Sequence, residues 1–285
     1  MANLCYDKAS PADSWTPVTE RIPFAPVPIL RRAAITITQN LERIVRRLET
    51  RVKLDDSDRE AIRALPVQFR TMDPATYMVR EGEKVEYCIL LLTGFAYRHK
   101  ITGDGQRQIM AVHMPGEFLD LQNCLLGIAD HNVQALTRCD VATVPVGALR
   151  QLSIDRPRVG QAMWIDTLVD AAIFREWIVN VGRRDSISRL SHLLCEIALR
   201  LEEAGLAVEH RYELPMTQEQ LADCTGLTPV HVNRVLKELG RLGLIVRDKR
   251  SVEIVEWDRL QEIGDFNTRY LHFEAGGPTN IQSAR

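Results

Sequence analysis

The sequence predicts an α+β fold: an N-terminal β-roll, a long apolar helix and a C-terminal winged helix-turn-helix. Three observations carry this. Residues 67–148 hold short apolar or alternating runs punctuated by glycines, which reads as several short strands. From Asp155 to Gly182 the apolar residues switch to helical spacing. Residues 216–239 read as two short helices around a glycine, followed by an alternating apolar hairpin.

The parts divide as an arm and helix over 1–50, the roll over 51–156, the long helix over 157–184, the helix-turn-helix over 185–263 and a tail over 264–285. Prolines 11, 17, 23, 26 and 28 break the arm. A helix is expected from about Thr38, with Leu41, Ile44, Leu48 and Val52 on its apolar side and Arg43, Arg46, Arg47 and Arg51 on a solvated face. Ser57 and Glu60 have capping-box spacing for a second helix, which Pro66 ends. Strands are expected over Cys88–Leu92, Phe95–Ile101, Gln106–His113, Val133–Leu136 and Val141–Val146, with Thr102–Gly105 as a hairpin turn. In the long helix, Trp164, Leu168, Ala171, Phe174, Ile178 and Val181 repeat at three and four residues. Ile165, Val169, Ala172 and Val179 widen that face. A helix apolar on more than one side needs more than one partner; the roll is one, and a second copy of the helix is the simplest other. The dimer interface is therefore assigned to Trp164, Leu168, Ala171, Ile178 and Val181. A hinge is expected at Gly182–Asp185, and the chain from Gly276 onward reads as a disordered tail.

Thr217 stands as N-cap of the first short helix, with Gln220 at the capping-box position. Gly226 supplies the positive φ of the turn. Thr228 caps the second helix, Pro229 fills its first position, and Val232, Val235, Leu236 and Leu239 form its apolar stripe. His231, Asn233, Arg234, Lys237 and Arg241 lie opposite. The hairpin follows at Leu242–Glu256, with Lys249 and Arg250 in its turn. Residues 228–250 carry six Lys/Arg against two acids, in a chain of net charge -2. A local basic excess beside a helix-turn-helix is the footprint of a DNA-binding surface. The expected DNA contacts are Thr217, Gln218, Thr228, Pro229, His231, Asn233, Arg234, Lys237, Arg241, Lys249 and Arg250. The alternative is a helical hairpin used only for packing, in a ligand-binding or protein-interaction module.

No run of about 18 apolar residues exists, and prolines interrupt the apolar stretch Phe24–Leu30; neither a membrane span nor a secretory signal is expected, and the location is taken as cytoplasmic. The six cysteines (5, 88, 124, 139, 195 and 224) show no close pairing, so no metal site is assigned and reduced, mostly buried thiols are expected. No Ser-His-Asp, paired-carboxylate or P-loop pattern is evident, which argues against an enzyme and leaves no catalytic residues to name.

Glu81-Gly82-Glu83, Gly94, Gly105, Pro115-Gly116-Glu117-Phe118, Thr217–Ala222 and Arg234–Leu239, in that order, resemble the Crp/Fnr transcription regulators over residues 50–263. The resemblance implies a cyclic-nucleotide-binding-like jelly roll as sensor, a homodimer along the long helix, double-stranded DNA with a palindromic operator, and RNA polymerase as a partner. In cyclic-nucleotide-binding members of that family a Gly-Glu and an Arg-Ser pair hold the ligand. Here Asp120-Leu121 and His131-Asn132 stand in those places, and no arginine lies between Arg107 and Arg138. The resemblance thus implies a degenerate effector pocket at Gly116, Glu117, Phe118, Asp120, Leu121, His131 and Asn132 that does not take cAMP. His99, His113 and His131 are either haem or metal ligands or plain strand-face histidines; no cofactor is assigned.

Overall fold

The computed structural model describes residues 37–273; the arm before Ile37, Cys5 and the tail from Gly276 lie outside them. Helix α1 (Ile37–Glu49) buries Leu41, Ile44 and Leu48, as its spacing predicts. Of the arginines expected on a solvated face, Arg46 is exposed, but Arg43, Arg47 and Arg51 are not. Arg43 donates to the Leu92 carbonyl, and Arg47 and Arg51 both reach Asp166 (2.9 and 3.0 Å). Sequence spacing showed only that they avoid the apolar stripe. Helix α2 (Asp56–Arg63) is capped two residues earlier than the expected Ser57–Glu60 pair. Asp55 is the N-cap, its side chain accepts from the Asp58 amide (2.9 Å), and the Asp58 carboxylate accepts from the Asp55 amide (3.2 Å). A carboxylate caps an N-terminus as well as a hydroxyl does and adds charge against the helix dipole.

The roll is two antiparallel sheets. One has the order β1 (Gln68–Met72), β7 (Cys139–Pro145), β3 (Tyr87–Thr93); the other β2 (Tyr77–Val79), β6 (Asn132–Ala135), β4 (Ala96–Ile101), β5 (Arg107–His113). Ile89, Leu91, Leu119, Val133 and Val141 fill the space between them. Gly94 turns β3 into β4 with φ +79°, and a Cβ there would lie 2.3 Å from the Arg138 carbonyl, so only glycine fits. After β5 a short helix α3 (Asn123–Leu126) follows the Pro115–Phe118 turn, and α4 (Val146–Asp155) leaves β7.

The helical pattern that starts at Asp155 is interrupted at Arg156, whose φ and ψ of -128° and 84° are not helical. Pro157 explains this, since a residue before proline is pushed out of the helical region. Helix α5 then runs Pro157–Arg183. One side, with Val169, Ala172, Ile173 and Trp177, packs on Tyr97, Ile109, Val112 and Met114 of the roll and on the next helix. The other side is open. Trp164 is 69% exposed and Ile178 68%, with Leu168 exposed and Ala171 and Val181 half-buried.

The expected hinge is the break between α5 and α6 (Ser186–Glu203), where Asp185 caps α6. It is cross-braced: Arg189 donates to the Arg184 carbonyl (2.8 Å) and to the Thr225 carbonyl (3.0 Å). Beyond it come β8 (Arg211–Glu213), α7 (Gln218–Thr225), α8 (Pro229–Arg241), β9 (Ile245–Asp248), β10 (Ser251–Ile254) and α9 (Trp257–Gly264). The expected two-stranded wing is a three-stranded sheet, because β8 pairs with β10 through Tyr212↔Val252. The tail also starts later than expected. Phe266, Tyr270 and Leu271 are buried, and Tyr270 donates to Glu196 (2.8 Å). Three apolar or aromatic residues in a short stretch were too few to show this by periodicity.

Candidate nucleic-acid interface and sensor pocket

The two helices of the helix-turn-helix are positioned by local chemistry. Gln220 donates its amide to Thr217 Oγ1 (3.2 Å) and returns Oε1 to the Thr217 amide (2.9 Å), completing the predicted capping box. Gly226 ends α7 at φ 63°, ψ 36°, the left-handed conformation expected of it. The Thr228 hydroxyl accepts from the His231 amide (3.3 Å). Leu221, Ala222 and Cys224 then meet Val232, Val235, Leu236 and Leu239, all buried. Burial of one side of α8 fixes what its other side presents.

That other side is open at its N-terminal end. Thr217, Gln218, Thr228, Pro229, Arg234 and Lys237 are exposed, as is Val230 at 81%. His231 and Asn233 are half-buried. Asn233 Nδ2 donates to Gln218 Oε1 (3.1 Å), tying α8 to α7. Arg234 Nη2 lies 2.9 Å from His231 Nε2; a guanidinium has only donors, so the imidazole accepts through that nitrogen. Arg241 differs from the rest, since it is engaged by Glu238 (2.5 and 2.9 Å). Lys249 and Arg250 form the exposed tip of the wing, directly between the paired residues Asp248 and Ser251. Arg247 belongs to β9 rather than to the turn and is half-buried.

Of the residues expected around the sensor pocket, Glu117, Phe118 and Leu121 line one cavity, together with Arg47, Asp166 and Arg200; the others make contacts of their own. Phe118, Asp120, Leu121, His131 and Asn132 are buried; Gly116 and Glu117 are half-buried. Asn132 Oδ1 accepts from the Glu81 amide (3.1 Å). Asp120 accepts from the Ile89 amide (3.3 Å), and burial pushes its carboxyl above the ordinary range. His131 contacts Asp130 (2.6 Å), and burial, then Arg98, lowers its pKa. His99 has neither ring nitrogen hydrogen-bonded, and burial together with Arg107 brings it down to about 4. His113 is lowered by burial as well. Among the described residues no group of three or more His, Cys, Asp or Glu is arranged to hold a metal ion.

Two cations missed in the sequence reading dominate this region. Arg98 of β4 is 2% exposed; it pairs with Asp170 of α5 (2.7 Å), donates to the Leu119 carbonyl, and lies 4.9 Å from the centre of the Phe174 ring. Arg200 of α6 pairs with Glu117 (3.0 Å) and Glu196 (2.9 Å) and donates to the Val112 carbonyl (2.8 Å). Burial alone would raise Glu117, but Arg200 and the hydrogen bond from His113 hold it well below the usual carboxylate range. A third contact crosses from roll to helix-turn-helix: Arg107 pairs with Asp223 of α7 (2.7 Å), and Gln108 donates to the Asp223 carbonyl (2.6 Å). Glu196 and Arg200 stand one helical turn apart, but no short-range pattern announces the Arg98–Asp170, Arg200–Glu117 and Arg107–Asp223 pairs, whose members stand 72 to 116 residues apart.

Comparison with known proteins agrees with this anatomy. The cyclic nucleotide-binding domain family matches residues 69–155, and the Crp-like helix-turn-helix domain family matches residues 188–263. The chain belongs to the Crp/Fnr family of transcriptional regulators. The transcriptional activator protein FnrL of Cereibacter sphaeroides is 28% identical over 204 residues, covering 69% of this chain and 81% of that protein. The nitrogen fixation regulation protein FixK of Rhizobium meliloti is 25% identical over 201 residues, covering 70% and 88%. The solved structure of FixK2 from Bradyrhizobium japonicum shares the fold at a TM-score of 0.65 and 24% identity, covering 70% of this chain and 98% of that one. Among the described residues of this Crp/Fnr regulator, no helix is long and apolar enough to cross a membrane.

Proposed function

We propose that this regulator is a cytoplasmic homodimer that binds a palindromic DNA operator, without catalysis and without a cyclic nucleotide. One observation carries the reading. The apolar side of α8 is fully buried while its N-terminal polar side stands open beside the basic wing tip. A helix held in that attitude fits the major groove, and the wing fits the flanking backbone. Arg234 is the base reader in this proposal, with His231 and Asn233 beside it; an arginine pairs bidentately with guanine O6 and N7. Thr217, Gln218, Thr228, Pro229, Lys237, Lys249 and Arg250 meet phosphate and sugar. Arg241 contributes less, because Glu238 already engages it. The dimer seam is the open stripe of α5: Trp164, Leu168, Ala171, Ile178 and Val181. The relatives named as activators support RNA polymerase as a further partner.

The effector assignment rests on the pocket. The two buried cations beside the Glu117–Leu121 stretch are spent, Arg98 on Asp170 and Arg200 on Glu117 and Glu196, and a buried carboxylate, Asp120, sits in that stretch. A cyclic phosphate would have to break one of those ion pairs and tolerate Asp120. Calorimetry with cAMP and cGMP should show no heat at micromolar concentration; a one-to-one isotherm overturns this part. Sedimentation tests the dimer: Leu168→Glu with Ile178→Glu should give monomer, and a wild-type chain already monomeric on DNA at micromolar concentration removes the seam.

A further inference from the structure

We propose that Cys88 and Cys124 form a redox-active dithiol, which a peroxide closes to a disulfide within the sensor roll. Cys88 lies on β3 and Cys124 on α3, the short turn after Asp120. Both are free and buried, and their Sγ atoms stand 3.5 Å apart. A disulfide needs about 2.05 Å, so roughly 1.5 Å of approach completes it. α3 is built to supply that movement. It has four residues and no side-chain cap, and Leu125, directly after Cys124, is 79% exposed. A turn at the surface gives a small oxidant a short route to Cys124.

The two thiols are unequal. While both are thiols, Cys124 donates its S–H to Cys88 and Cys88 donates to Asp120. Once Cys124 has lost its proton the Cys88 S–H turns to the thiolate, a contact that lowers Cys124 and raises Cys88. Arg150, whose guanidinium is fixed on the Cys124 carbonyl (2.6 and 3.2 Å), also favours the Cys124 thiolate. Asp120, whose carboxylate is 3.6 Å from Cys88 Sγ, opposes both thiolates. Cys124 is therefore the attacking sulfur and Cys88 the resolving one. The Cys124 thiolate attacks one peroxide oxygen, the O–O bond breaks, and a sulfenic acid and hydroxide result. The hydroxide takes the Cys88 proton. Cys88 sulfur then attacks the sulfenic sulfur, an S–S bond forms, the S–O bond breaks, and the second hydroxide leaves to take up the proton first lost by Cys124. Two thiols are oxidised by two electrons and one peroxide is reduced to two waters.

The other described cysteines lack this arrangement. Cys139 contacts the Phe95 and Thr137 carbonyls and is pushed up to about 11 by burial. Cys195 and Cys224 are raised by burial too. Closing the Cys88–Cys124 bond fixes α3 to β3. Through Arg150 it also fixes α3 to α4, which abuts α5 where Gly160 meets the Ser153 carbonyl.

The test uses the full reduced chain and hydrogen peroxide in small excess, followed by alkylation under denaturing conditions and peptide mapping. The expected result is two fewer alkylated cysteines, a linked Cys88–Cys124 peptide, and full reversal by dithiothreitol. Cys88→Ser and Cys124→Ser should each abolish the loss of two thiols, and Cys139→Ser should leave it unchanged. Full alkylation after peroxide overturns the proposal. So does a link that joins either residue to another cysteine, or further oxidation of Cys124 without a link. The wild-type map decides this alone, so a serine variant that folds poorly does not obscure it. Amide exchange over 123–127 should slow several-fold on oxidation; unchanged exchange removes the clamp.

Discussion

The joint between roll and helices and the open face of α8 use the same kinds of residue to opposite ends. In the joint, Arg98 meets Asp170, Arg200 meets Glu117 and Arg51 meets Asp166 across elements distant in sequence, and Glu196 engages Arg200 within α6. On α8, the side chains of Asn233 and Arg234 bond to Gln218 of the neighbouring helix and to His231, at the surface. Buried, a charge must be paired, and the pair then dictates how two elements sit. Exposed, it costs little to leave available, so it can serve a partner. The comparison teaches that the charged residues around the sensor roll are tied into the structure, while those on the open side of α8 stay available, as the proposed DNA contact requires.

The largest expected effect lies in the joint. Arg200→Met leaves Glu117 and Glu196 buried without their cation, and we predict a loss of about 3–5 kcal/mol in urea melts. Adding Glu117→Gln should return part of it. A single variant that loses under about 0.5 kcal/mol would make the joint no different from the surface, and the contrast fails.

Acid should act on the same region in two windows. His99 titrates at about 4 when folded against 6.5 unfolded, so the unfolded chain takes up the proton first. Its contribution to stability is complete above pH 6.5 and falls as pH drops toward 4, by about 1–3 kcal/mol. Glu117, held below its ordinary 4.5, adds a second loss that begins only below that value. His99→Phe should make the first window of a pH–stability curve shallower, with the buried His113, His131 and His192 accounting for what remains, and leave the second. A curve unchanged between pH 6.5 and 4 shows that His99 is not titrated as its burial requires.

On the open face the effects move from stability to DNA. Arg234→Ala should keep the melting point and relax preference at one symmetric position of each half-site, worth about 1–3 kcal/mol of discrimination. Selection from a randomised operator reads this directly; a uniform loss of affinity with the preferred sequence intact makes Arg234 a phosphate contact. The smallest effect belongs to Lys249→Ala, which should weaken all sequences alike and reduce the salt slope by about one. A change of preferred sequence in that variant would move base reading to the wing.

The sequence by itself determined what depends on neighbours along the chain. The Thr217–Gln220 box, the left-handed Gly226, the Thr228 cap and the α8 stripe all involve residues a few positions apart, and each formed as its spacing required. The open stripe of α5 was legible for the same reason, since helical period alone sets which residues share a side. The tertiary structure decided what depends on distance through space. Asp55 rather than Ser57 caps α2, Tyr212 brings a third strand to the wing, and Tyr270 draws the chain end into the core. It decided, above all, that Arg98 and Arg200 enter the sensor region from β4 and α6. No reading along residues 116–132 finds them there, because a buried charge is placed by the partner that folding brings to it.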